Sequence, residues 1–127
     1  MLHDQQGAGA THHLGASFER PIDLVHLARQ TLGDRVLEQE ILSLYLKQAS
    51  TLIDRIEACT SSRERADMAH TLKGSSRAVG AWQVAQAAEA VEIAPPDQKG
   101  ECARTIAALR TCVVAACDTI ADLQRAH

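Results

Sequence analysis

Ala69-His70-Thr71-Leu72-Lys73-Gly74-Ser75-Ser76-Arg77-Ala78-Val79-Gly80 is the stretch on which the reading of this chain turns. At about 100° per residue, Met68, Leu72, Ser75, Ser76 and Val79 gather on one side of a helix. With Leu72 pointing inward, His70 stands about 160° away, close to the opposite face. Arg63, Ala66, Asp67, Gly74 and Arg77 share that outer face, and Lys73 lies on its flank. A single imidazole is therefore expected on the wet side of an amphipathic helix, with a cation one turn on and no side chain at Gly74 to crowd it. Glycine inside a helix costs about 0.5–1 kcal/mol relative to alanine, so its place there exchanges stability for access. On geometry alone, an ordinary solvated histidine beside an incidental glycine fits equally.

Working outward, 127 residues make one domain with a single core. One Phe, one Tyr and one Trp leave that core to Leu, Ile, Val and Ala. Helix formers abound and the prolines (Pro21, Pro95, Pro96) sit at presumed boundaries, so the fold class is all-α. Residues 1–17, without periodicity, read as a disordered tail whose His3, His12 and His13 are solvated rather than metal ligands. The folded domain is then 18–127.

Pro21 opens a short helix over 21–31, with Ile22, Val25, Leu27 and Ala28 as its apolar side, and Gly33 stops it. Asp34 caps a second helix over 34–58 with Leu37, Ile41, Leu44, Tyr45, Leu52 and Ile56 as its core stripe. Leu42, Leu46 and Ile53 widen that stripe to about 200°. Either the first helix covers the surplus, or part of it, at Leu42 and Leu46, is exposed for docking a partner. Ser61 or Ser62 caps the third helix, 62–79, with Glu64 placed for a capping box. A fourth, 81–93, follows Gly80 with Trp82, Val84, Ala85, Ala88 and Val91 on its apolar side, and Pro95-Pro96 closes it. The last, 97–124, carries a seam of Ile106, Leu109, Val113, Ala116, Ile120 and Leu123. The sum is an antiparallel up-down-up-down four-helix bundle with a short N-terminal capping helix.

Composition also excludes. A formal net charge of −3 leaves no electrostatic footprint for nucleic acid. No run of 18 apolar residues could span a membrane, and no secretory leader is evident. Cys59, Cys102, Cys112 and Cys117 form no C-x-x-C pair and read as small buried thiols, which suits a reducing cytoplasm. His70 has no His or carboxylate partner at i+4, which argues against a metal-binding bundle.

The run His70-Thr71-Leu72-Lys73-Gly74, then Gly80, then Val91-Glu92 closing the next helix, resembles the pattern of histidine-containing phosphotransfer (HPt) domains of bacterial two-component phosphorelays. Ile22-Asp23-Leu24 and the Gly33-Asp34 turn are similar to the family too, and the likeness covers roughly residues 20–125. It implies a carrier that accepts a phosphoryl group on His70 from a receiver-domain aspartate and passes it to another receiver. The resemblance further implies that the receiver supplies Mg²⁺ and that this chain needs no cofactor of its own. Some members carry Gln 22 residues after the histidine, where this chain has Glu92, so the resemblance gives Glu92 no phosphate contact.

A free imidazole titrates near pH 6.5, so a ring nitrogen is open to phosphorus at neutral pH. Lys73 then attracts the phosphoryl oxygens, Gly74 leaves room for the receiver, and Arg77 either adds positive field or is simply solvated. Arg63, Ala66 and Asp67 complete the docking face. Ser75 and Ser76 are expected to pack or bond within their helix, and Trp82 to join the core. No Gly-rich phosphate loop or kinase signature occurs, so the chain holds an acceptor without a phosphoryl source, and whether it counts as an enzyme stays open. A free-standing, monomeric, cytoplasmic shuttle is the expectation. The competing reading is a helical adaptor that binds receivers or kinases independently of phosphorylation and has no need of His70.

Overall fold

The computed structural model describes residues 20–96 and 98–126. The expectations for the 1–17 tail and for His3, His12 and His13 lie outside the described residues. Among the described residues there are five helices and no strand: α1 (Leu24–Thr31), α2 (Arg35–Ala58), α3 (Ser62–Val79), α4 (Trp82–Ile93) and α5 (Lys99–Arg125). The fold is an all-helical bundle. The four longer helices pack in a ring, α2 on α3, α3 on α4, α4 on α5 and α5 back on α2, while α1 lies against α2 and α3. Side-chain cross-links fix α2 on α5: Ser43 with Gln124 (2.6 Å), Ser50 with Cys117 (3.7 Å), and Asp54 (2.5 Å) and Glu57 (2.8 Å) with Arg110. The core is aliphatic apart from Tyr45, and Ala49, Ala69, Ala88 and Ala116 are fully buried where helices approach closely.

The first helix begins at Leu24, three residues after the expected Pro21. Asp23 is extended (φ −86°, ψ 97°) and its carboxylate accepts the His26 amide, so it is the N-cap. Its own amide donates to the Gly80 carbonyl at 2.9 Å, pinning the start of α1 to the turn between α3 and α4. Trp82 reinforces the attachment: its indole N–H donates to the second Asp23 oxygen (2.9 Å), and its ring packs edge-to-face with that of His26, ring centroids 4.8 Å apart. Val25, expected on the apolar side, is instead 61% exposed. The helix stops at Leu32, which takes the left-handed conformation (φ 53°) one residue before Gly33.

The stripe on α2 is rotated from its expected position. Leu42 and Ile53 are core residues, and Leu46 packs against the core half-buried. Leu37 and Leu44, expected inside, are exposed, Leu44 by 67%. The reason is packing: α5 holds the Ser43 and Ser50 flank of α2, and α1 lies over Leu42, so that side of the wide stripe turns inward. The first helix does cover the surplus at Leu42, and the exposed remainder lies on the other flank.

Candidate functional site

The rotation of α3 is set by what it buries: Ala69, Leu72, Ser76 and Val79. Ser76 is fully buried, and its hydroxyl lies 2.6 Å from that of Tyr45 on α2, a polar pair inside an aliphatic core. Burial pushes the Tyr45 phenol well above its ordinary range, so it remains protonated. Ser75 bonds back to the Leu72 carbonyl. With that face inward, His70 points out, its side chain 67% exposed.

The ends of α3 are as closely defined. Ser61 accepts the Glu64 amide at the N-terminus, and Gly80 closes the C-terminus at φ 81° while the Ala81 amide returns to the Ser76 carbonyl (2.8 Å). A Cβ on Gly80 would sit 2.9 Å from the Asp23 carbonyl oxygen, so this turn admits only glycine. From it α4 runs back beside α3 and carries Glu92 to the level of His70.

There one carboxylate meets two α3 side chains. Glu92 Oε2 lies 2.8 Å from His70 Nδ1, and Oε1 lies 2.8 Å from Lys73 Nζ. Lys73, on the flank of the helix, is only 13% exposed, so the cation one turn from the histidine is already paired. The Lys73 ammonium, followed by the His70 ring, holds the Glu92 carboxyl below its ordinary range against partial desolvation. An ionised carboxylate only accepts hydrogen bonds, so the proton between the two groups belongs to Nδ1. In the neutral ring the lone pair is then on Nε2, the other nitrogen of the exposed side chain.

Around His70, the residues Arg63, Asp67, Gly74 and Arg77 are exposed, as their place on the outer face requires, and Ala66 is half-buried. A Cβ on Gly74 would meet open space. Leu42 does not belong to this surface, being 2% exposed, whereas Leu46 packs half-buried against the core. The apolar residues beside α3 are instead Ile41 and Leu44, which line a shallow groove with Gln48, Ser75 and Ala78. Sequence reasoning missed this flank because leucines occupy both sides of α2. It noticed Glu92 but not its contacts, which depend on the register between α3 and α4.

Among the described residues no group of three His, Cys, Asp or Glu is placed to hold a metal ion. The four cysteines are free and half-buried, and burial pushes the thiols of Cys112 and Cys117 up. No helix among the described residues is long and apolar enough to cross a membrane.

The family model of the Hpt domain matches residues 40–126, from the first half of α2 to the end of α5. The chain belongs to the Hpt domain family. The matched span holds His70, Lys73, Gly74 and Glu92, whereas α1 precedes it. No curated protein and no solved structure matches the chain. The Hpt core of this chain thus carries the whole histidine site, and α1 is fastened to it through Asp23.

Proposed function

We propose that this Hpt domain is a phosphorelay carrier whose His70 accepts a phosphoryl group from an aspartyl phosphate of one receiver domain and passes it to the aspartate of another. The observation that carries the reading is the exposed His70 ring, held by Glu92 with its Nε2 side open and with Lys73 one turn away. In the forward step the Nε2 lone pair bonds phosphorus, the P–O bond to the receiver aspartate breaks, and the carboxylate leaves. Mg²⁺ and most of the catalytic apparatus belong to the receiver; this chain contributes the nucleophile and positive charge from Lys73.

The scaffold we read is an antiparallel four-helix bundle capped by α1, with the α2–α5 cross-links as its support. Receiver docking is assigned to the outer face of α3, with Arg63, Asp67, Gly74 and Arg77, extended by Ile41, Leu44 and Ala78. Ala78 is eight residues from His70, about 12 Å along the helix, so one small domain can cover both.

Transfer from a phosphorylated receiver of a hybrid histidine kinase tests the reading, with wild type compared against His70→Gln. An acid-labile, base-stable label on wild type and none on the variant is the expected result. Label on neither protein across a panel of receivers, with both folded, would overturn it and favour the phosphorylation-independent adaptor.

A further inference from the structure

Two of the four cysteines meet at one arginine, at the end of the bundle where α3 begins. Arg65 Nη1 donates to the Cys102 sulfur (3.6 Å), and Nη2 donates to the Cys59 carbonyl oxygen (2.7 Å). No carboxylate among the described residues pairs with Arg65, and its Nε is buried without a hydrogen-bond partner. Arginine keeps its charge at any ordinary pH, so a half-buried guanidinium left in this way favours an anion beside it. The neighbour able to become one is the Cys102 sulfur. Helices α3 and α5 stand on a diagonal of the ring and do not pack on each other, so Arg65 reaches across the end of the bundle to make this contact.

The two sulfurs are held in opposite roles. Cys102 accepts from a cation, whereas Cys59 donates, its Sγ 3.3 Å from the Ser61 carbonyl oxygen and 3.9 Å from Glu64 Oε1. Cys112 and Cys117 lie elsewhere on α5, where burial pushes both thiols up. We propose that Cys102 and Cys59 are a peroxide-sensitive thiol pair, in which Cys102 is oxidised first and Cys59 closes a reversible disulfide. This stands whether or not His70 carries a phosphoryl group.

In the first step the Cys102 sulfur, as thiolate, attacks one oxygen of a hydroperoxide. The O–O bond breaks, the other oxygen leaves with a proton as water or alcohol, and the sulfur, two electrons poorer, is a sulfenic acid. Arg65 Nη1 faces the sulfur throughout. In the second step Cys59 gives up its proton, with Glu64 the carboxylate facing it, and its sulfur attacks that of Cys102. The S–O bond breaks, the hydroxyl leaves as water with that proton, and the S–S bond forms. Bringing the sulfurs together asks the start of α5 to move, and that turn is lightly held: Gln98 makes no side-chain cap bond, and Gly100 lowers its helix preference. The disulfide would then fasten α5 to the loop that leads into the histidine helix.

The test is mass spectrometry of the full chain after a stoichiometric dose of hydrogen peroxide. Trypsin separates the thiols, because peptide 56–63 carries Cys59, 100–104 carries Cys102, and 111–125 carries Cys112 and Cys117. Expected is 56–63 joined to 100–104 within a chain of monomer mass, released by dithiothreitol. With dimedone present, the adduct should fall on 100–104, and in Cys59→Ser it should persist while the joined peptide vanishes. Arg65→Gln should slow loss of the Cys102 thiol about tenfold, the worth of one charge-assisted hydrogen bond. Oxidation that falls first on 111–125, or a wild type that never yields the joined peptide, overturns the inference even if Arg65→Gln does not fold. A folded Arg65→Gln that loses the Cys102 thiol at the wild-type rate overturns it too.

Discussion

Gly74 and Ser76, two residues apart on α3, answer to opposite demands. At Gly74 a Cβ would meet nothing, so Gly74→Ala should raise stability by about 0.5–1 kcal/mol while slowing receiver transfer. Urea unfolding and transfer rates check the two halves separately; a variant that gains stability with unchanged transfer removes the docking explanation for the glycine. Ser76 is buried with only Tyr45 across from it, so Tyr45→Phe leaves its hydroxyl without that partner. The expected loss is about 1–3 kcal/mol. Replacing both by Phe and Ala should cost less than the sum of the single changes, as a double-mutant cycle in urea would show. The sequence placed both serines away from phosphate, but the Tyr45 partner requires knowing which part of α2 faces the middle of α3.

At the scale of the element, α2 separates what periodicity can and cannot decide. Two helix starts were legible because caps are local: Asp34 accepts the amide three residues on, and so does Ser61, one of the two serines expected there, whereas α1 starts at the Asp23 cap and not at Pro21. The outward face of α3 was legible too, since its polar side is unbroken through Arg63, Asp67, His70, Gly74 and Arg77. Rotation of α2 was not legible, because Leu, Ile and Tyr occupy more than half its circumference and neighbours choose the buried arc. Leu42→Ala should cost about 2–5 kcal/mol of stability. Leu44→Glu, on the exposed flank, should leave the melting temperature nearly unchanged and weaken receiver binding in calorimetry. Equal destabilisation by both would mean the flanks are assigned the wrong way round.

For the whole molecule, acid is the informative variable, because several carboxylates tie separate helices together: Glu57 joins α2 to α5 through Arg110, and two more act at α4 and α1. Glu92 joins α4 to α3 and is held below its ordinary range by Lys73 and then His70. Asp23 joins α1 to the turn before α4; burial works to raise it, but the indole of Trp82 and the amide of His26 prevail and lower it. A carboxyl with a depressed folded value adds stability that is complete above its unfolded value and is lost as pH falls through the folded one. The melting temperature should therefore hold from pH 7 to about 5 and drop below about 4. Carrying Asp23→Asn and Glu92→Gln together should shrink that drop, as thermal scans at each pH would record. Trp82 makes one of these events visible by itself. It is the chain's one tryptophan, with its N–H on Asp23 and its ring against His26, so its ultraviolet emission responds to the departure of α1. Circular dichroism, by contrast, is dominated by the four long helices. The protein thus contains its own optical gauge for the loosening of its first helix, readable without any added dye.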